Sequence, residues 1–187
     1  MQMNKQTAEE ILLQSKVLYN KQQIETRIRA LAAVISKDIE STNEIPIILT
    51  VMNGGLFFAA ELLSNIYVPF ITDYIHASRY GNETFGAKHI TWYHQPSAKN
   101  IIDKNVYIID DILDEGHTLA EIQRLILDMG AKSCKLITLI DKFINKKKPV
   151  NADFVGFEAP NHFLFGYGMD IYGIFRQLPE IYIYSQQ

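Results

Sequence analysis

The sequence predicts an α/β fold on a mainly parallel sheet, and three observations carry that prediction. The run IPIILTVM (Ile45–Met52) is short, β-branched and apolar throughout, without the alternation of a strand that shows one face to water. The segments IETRIRALAAVISKDI and TLAEIQRLILDMG instead repeat their apolar residues at helical spacing. The two kinds of segment alternate along the chain, as they do where helices cross over between parallel strands.

Each element has its own warrant. Asn20 is a helix cap, because Ile24, Ile28, Leu31, Ile35 and Ile39 follow at steps of three and four. NGG (Asn53–Gly55) breaks the strand at Ile45–Met52, and LFFAAELLSNI then reads as a helix. PFITDYIHA is the next strand. SRYGNETFGAK has two glycines and no hydrophobic period, which marks a mobile loop. KHITWYH and NVYIID are strands, and the helix TLAEIQRLILDMG stops at Gly130. SCKLITLID and ADFVGF complete the sheet. No repeat or low-complexity linker interrupts the 187 residues, so one domain is expected.

Composition excludes several function classes. A net charge of −3 leaves no general electrostatic footprint for nucleic acid. One cysteine, Cys134, cannot close an internal disulfide, which points to a reducing compartment. The first residues lack the apolar centre of a signal peptide, and no stretch approaches the roughly 18 apolar residues that cross a bilayer. A soluble, cytoplasmic protein without membrane or nucleic-acid partners is expected.

In open parallel sheets ligands bind beyond the carboxyl ends of the strands. There the segment VYIIDDILDEGHTL sets Asp110, Asp111, Asp114 and Glu115 close together after an apolar strand. Adjacent acids at a strand tip accept hydrogen bonds from vicinal hydroxyls or hold a cation. Thr118 and Glu121 have capping-box spacing, so a helix begins just after Gly116 and its free N–H groups suit a phosphate. A sugar diol on one side and a phosphate on the other make this bend a ribose 5-phosphate cradle.

The motif resembles the phosphoribosyl-diphosphate motif of type I phosphoribosyltransferases, in particular the bacterial hypoxanthine-guanine branch. VMNGGLFFAAELL (Val51–Leu63) is similar to the family's first active-site turn, which carries a non-proline cis peptide and contacts pyrophosphate. LIDK (Leu139–Lys142) and the tail from Ala152 to Ile181 resemble its purine site. The resemblance runs in family order from about residue 15 to the C-terminus. It implies the type I fold, with a small hood formed from the N-terminal and C-terminal segments of a single domain, residues 1–187. The implied activity is purine salvage: 5-phosphoribosyl passes from phosphoribosyl diphosphate to N9 of a 6-oxopurine, hypoxanthine or guanine, with Mg2+ as cofactor.

The resemblance also implies roles. Asp114 is the general base at N7 of the purine. Asp110 and Asp111 bind the ribose hydroxyls and, with Asp170, magnesium. Glu115, Gly116, His117 and Thr118 wrap the 5-phosphate. Asn53, Gly54, Arg79, Tyr80 and Arg176 serve pyrophosphate, with Tyr80 closing over the site from the mobile loop. Lys142 reads the exocyclic oxygen, Phe163 stacks on the base and the backbone of Leu164 reads its edge. A homodimer or homotetramer is implied. Glu115, Asn53 and Arg79 depart from the family's usual threonine, lysine and serine.

Blander readings stand beside these. Arg176 has helical spacing to Glu180, Asp170 is placed to cap a short helix, and Lys146–Lys148 reads as a solvated turn. Phe163 and Phe165 both read as ordinary core aromatics as well, and at most one of them meets a ligand. A regulatory relative that binds RNA or DNA without catalysis is the alternative function. A phosphorylated receiver domain is a poorer fit, because too few residues follow Asp111.

Overall fold

Helices and strands alternate in the computed structural model, which describes residues 4–78 and 90–184. In chain order they are α1 (Lys5–Leu13), β1 (Ser15–Tyr19), α2 (Lys21–Glu40), β2 (Ile47–Met52), α3 (Leu56–Ser64), β3 (Ile71–Ser78), β4 (Thr91–His94), α4 (Ala98–Ile101), β5 (Asn105–Leu113), α5 (His117–Asp128), β6 (Ser133–Lys142), β7 (Phe154–Ala159), β8 (Phe163–Phe165) and β9 (Ile181–Tyr184). The expected mobile loop lies outside the described residues except for Ser78, the last residue of β3.

Among the described residues, six strands form the main sheet in the order β4-β3-β2-β5-β6-β7. All neighbours are parallel except β4, which runs antiparallel to β3 at the edge. The central strands are apolar on both sides because both sides are covered. One core joins α2 and α3 to residues such as Ile48, Ile109 and Ile137. The other joins α4 and α5 to Leu49, Ile108 and Leu136. The five apolar residues that give α2 its period are all buried. Each such side chain contributes about 1.5–3 kcal/mol when fully removed from water. The Asn20 side chain accepts from the Gln23 amide at 2.9 Å, and Gln23 answers to the Asn20 N–H, a reciprocal cap.

Cys134 lies on β6, and burial pushes its thiol up to about 12, so it is un-ionised at neutral pH. Near it, Lys135 and the Tyr107 hydroxyl both bond Asp38, at 2.7 and 2.6 Å, and tie the end of α2 to the sheet.

The chain's two ends make a second, three-stranded sheet in the order β1-β9-β8. Its antiparallel strands pack with α1 around Ile11, Phe165 and Ile171. α1, β1, α4, β8 and β9 carry no marked sequence signal. These are short elements with little periodicity of their own. No helix among the described residues is long and apolar enough to cross a membrane.

Candidate active site

The site begins where two parallel strands part. β5 pairs with β2 only as far as Ile109, opposite Thr50, yet stays paired with β6 out to Leu113. β2 turns away at a cis Met52–Asn53 peptide, and Asp110 and Asp111 line the gap it leaves. The expectation of a strand tip at the acids is therefore corrected. β6 holds β5 in strand geometry for two residues beyond Asp111, so the acids are edge residues of a continuing strand.

Backbone approaches here are very close. A Cβ on Gly54 would stand 2.2 Å from the Asp111 carboxylate, and one on Gly168 would stand 2.1 Å from the Gly54 carbonyl oxygen. Only glycine fits either place. Both acids are buried, with 9 % and 8 % of their surfaces exposed, and neither has an ion-pair partner among the described residues. Burial, and then the charge of Asp111, hold the Asp110 carboxyl well above the ordinary carboxylate range. Asp111 is raised too, first by burial, although a side-chain bond from Asp110 and the nearby charge of Arg176 work against the rise. Two buried, repelling carboxyls are a standing electrostatic deficit that a bound cation or hydroxyl donors would relieve.

After Leu113 the chain bends through Asp114 and Glu115 to Gly116, whose φ of +80° belongs to glycine. α5 starts at His117, just after Gly116 as expected, but without the expected capping box. Gly116 is the cap residue and no side chain caps the helix. The left-handed turn at Gly116 puts Thr118 inside the first turn, two residues past the cap position. The residues from Asp114 through Leu119 line a depression of about 680 Å³ together with both acids, Asn53, Gly54 and Arg176.

A second cavity, of about 180 Å³, adjoins the first and shares Asp111, Ile112, Asp114 and Arg176 with it. Its remaining walls are Lys142, Phe163, Leu164, Met169 and Asp170. Lys142, brought there by the end of β6, is buried and donates to Asp114 at 2.9 Å. Phe163 exposes 52 % of its surface, while Phe165, two residues on along the same strand, is fully buried. β8 thus turns one aromatic into the slot and the other into the core.

Two of the blander readings are corrected, and a third holds only in part. Arg176 pairs with Asp170 and donates to the Gly168 carbonyl at 2.6 Å, rather than pairing with Glu180. The segment between them is a run of tight turns, with Tyr172 and Phe175 at positive φ, so helical spacing does not apply. For the same reason Asp170 caps no helix; it accepts the Gly173 N–H at 2.7 Å and closes a turn. Lys146 and Lys147 are exposed as expected, but Lys148 is half-buried: its ammonium donates to the Leu113 carbonyl (2.6 Å), the Lys142 carbonyl (2.6 Å) and Asp141 (2.5 Å).

The structure thus gathers Asn53, Gly54, Asp110, Asp111, Asp114–Thr118, Lys142, Phe163, Leu164, Asp170 and Arg176 around two joined cavities. Arg79 and Tyr80 lie outside the described residues. His76, Ala77 and Tyr93 also line the larger cavity, with His76 against Tyr93 at 4.7 Å between ring centres. Sequence reading missed these three, since nothing in PFITDYIHA or KHITWYH marks one strand position over another. Ile112 and Met169 were missed as well. Ile112 was legible, because strand alternation sends it to the same side as Asp110 and Asp114.

No three metal-ligating side chains come together among the described residues. The acid pair nonetheless suits a hard divalent cation that takes most of its oxygens from a ligand, as magnesium does on phosphates.

Fold and cleft together define an α/β protein that opens its ligand site at the carboxyl edge of a parallel sheet, with acids, a helix start and an aromatic-walled slot in one depression. The chain belongs to the family of the phosphoribosyl transferase domain, whose profile matches residues 14–171. Among its relatives, the hypoxanthine-guanine phosphoribosyltransferase of Bacillus subtilis is 34 % identical over 166 residues, 89 % of this chain and 91 % of that protein. The hypoxanthine-guanine-xanthine phosphoribosyltransferase of Tritrichomonas foetus is 34 % identical over 173 residues, 91 % of this chain and 92 % of that protein. A crystal structure of a hypoxanthine-guanine phosphoribosyltransferase from Bacillus anthracis superposes with a TM-score of 0.81 at 33 % identity, covering 90 % of this chain and 97 % of that one. The fold is the type I phosphoribosyltransferase fold. The alternative of a regulatory relative that binds RNA or DNA draws no support from these relatives.

Proposed function

We propose that this protein transfers the 5-phosphoribosyl group of phosphoribosyl diphosphate to N9 of hypoxanthine or guanine, forming the nucleoside monophosphate and releasing pyrophosphate. One observation carries the reading: an acid-lined cavity at a helix start opens into a small slot holding Lys142 and Phe163. A sugar phosphate fits the first and a planar 6-oxopurine the second, with the sugar C1 at their junction.

In the reaction the C1–oxygen bond to pyrophosphate breaks, the N9–C1 bond forms and positive charge passes over the sugar ring. The carboxylates of Asp110 and Asp111 face that charge and accept the ribose hydroxyls. The amides from Glu115 to Thr118 bind the 5-phosphate at the positive end of α5. Asn53 and Gly54 receive the pyrophosphate, and Arg176 neutralises it as it leaves. Arg79 and Tyr80 are proposed to serve it from the segment beyond β3. Phe163 stacks on the base, whose edge the Leu164 backbone reads. Lys142 exchanges its bond to Asp114 for the purine's 6-oxygen, which frees Asp114 to share the proton at N7. Asp110 and Asp111, with Asp170 on the purine side, are the residues that would hold Mg2+, and the ion would supply positive charge to the pyrophosphate oxygens.

We further propose that the 187 residues act as one domain, that the small sheet of the chain's ends forms its hood, and that the protein works in the cytoplasm as a homodimer or homotetramer.

The test is formation of inosine or guanosine monophosphate from free base, phosphoribosyl diphosphate and Mg2+. Asp114→Asn is expected to lower kcat by about 10²–10⁴-fold, the usual worth of a positioned acid or base. Full turnover in that variant would remove Asp114 from the base role, and no nucleotide from the unmodified protein would overturn the assignment.

A further inference from the structure

We propose that Lys148 is a positioning residue that sets the distance between Asp114 and Lys142. Its place in the reaction rests on the transferase reading above. The Lys148 side chain is 11 % exposed, and its ammonium has three donors, each with an acceptor at the carboxyl edge of the sheet. One acceptor is the carbonyl of Leu113, the residue directly before Asp114. Another is the carbonyl of Lys142 itself, and the third is the carboxylate of Asp141, the residue before it. A single cation therefore bridges the exits of β5 and β6, the two strands that present the 2.9 Å Asp114–Lys142 pair.

The same segment reaches the next part of the bend. Gly116 has Leu113, Pro149 and Val150 around it, and a Cβ there would meet their side chains at 3.2–3.4 Å. Residues 148–150 thus brace the bend at both Leu113 and Gly116. β5 and β6 are last paired at Leu113 and Asp141, so beyond that point ladder bonds no longer fix their spacing. Lys148 supplies the missing cross-tie just where the two proposed purine-reading side chains begin. A misplacement of order 1 Å at such a point is enough to cost about a hundredfold in rate.

Lys148→Met removes the donors while keeping a long apolar stem. We expect kcat/KM for the purine to fall roughly tenfold to a hundredfold, with the KM for phosphoribosyl diphosphate nearly unchanged. Unchanged purine kinetics, measured well below the variant's Tm, would show a stabilising role only and overturn the proposal. The double variant Lys148→Met/Asp141→Asn removes the uncompensated carboxylate. It is expected to stay impaired, because the carbonyl clamp is still missing; recovery to wild-type kinetics would overturn the clamp. Should Lys148→Met fail to fold, Lys148→Gln, which keeps two donors, is expected to lie between wild type and the double variant.

A crystal structure of the same variant provides a readout independent of activity: the Leu113 and Lys142 carbonyls should part and the Asp114–Lys142 bond lengthen. An unmoved pair would contradict the proposal even if the unmodified protein made no nucleotide, a result that would sink only the transferase reading.

Discussion

At the scale of residues, the acid pair on β5 shows how a site can be built at the expense of the fold. Asp110 and Asp111 are buried without counter-charges in ion-pair contact among the described residues, and both carboxyls are held above their ordinary range. A carboxyl with a raised folded pKa favours the folded state fully below its unfolded pKa, and that advantage is lost as pH rises through the folded value. At neutral pH the pair therefore works against stability. Replacing Asp110 with asparagine, which keeps the shape and removes one charge, is expected to raise the Tm of the ligand-free protein by about 2–4 °C for each kcal/mol of repulsion relieved. The same variant should lose transferase activity. A differential scanning measurement across pH checks this, and a Tm that falls at neutral pH in Asp110→Asn would contradict the electrostatic reading. Most residues of the cleft were legible because they fall in ordered motifs. Lys148 was not: KKK looks like a solvated turn, and only the meeting of two strand ends shows where its ammonium goes.

At the scale of elements, apolar period was a reliable guide wherever packing is regular. α2 carries its buried isoleucines where spacing put them, and the cap at Asn20 formed as read. β5 outran its expected end because pairing with β6 continues beyond the acids, and pairing is not written in the strand's own residues. The helix after Gly116 was found, but its cap was not, since a left-handed glycine replaced the side chain. α3 and β3 also bear on assembly. Leu56 and Phe57 on α3, and Ile71 and Tyr74 on β3, are large apolar or aromatic side chains left exposed. Exposed apolar groups in such number favour burial against another copy of the chain. Sedimentation is expected to give two or four times the 21.4 kDa chain mass, and a single 21.4 kDa species would contradict assembly through these faces.

At the scale of the whole molecule, the order of the strands explains the function proposed. A central parallel sheet brings the ends of β2, β5 and β6 side by side, and the second sheet, made from the chain's two ends, sets Phe163 and Leu164 over the slot. No stretch of sequence contains this juxtaposition, which joins residues from Asn53 to Arg176. The resemblance to the family implied it, and the topology gives it a physical form. The central claim is that one depression holds a sugar phosphate between the acids and α5 while the base lies under Phe163. A crystal structure with inosine or guanosine monophosphate tests that most directly. The phosphate is expected on the amides of residues 115–118, the ribose hydroxyls on Asp110 and Asp111, and the base between Ile112 and Phe163 with its 6-oxygen at Lys142. A nucleotide bound elsewhere, with the bend from Asp110 to Thr118 vacant, would contradict it.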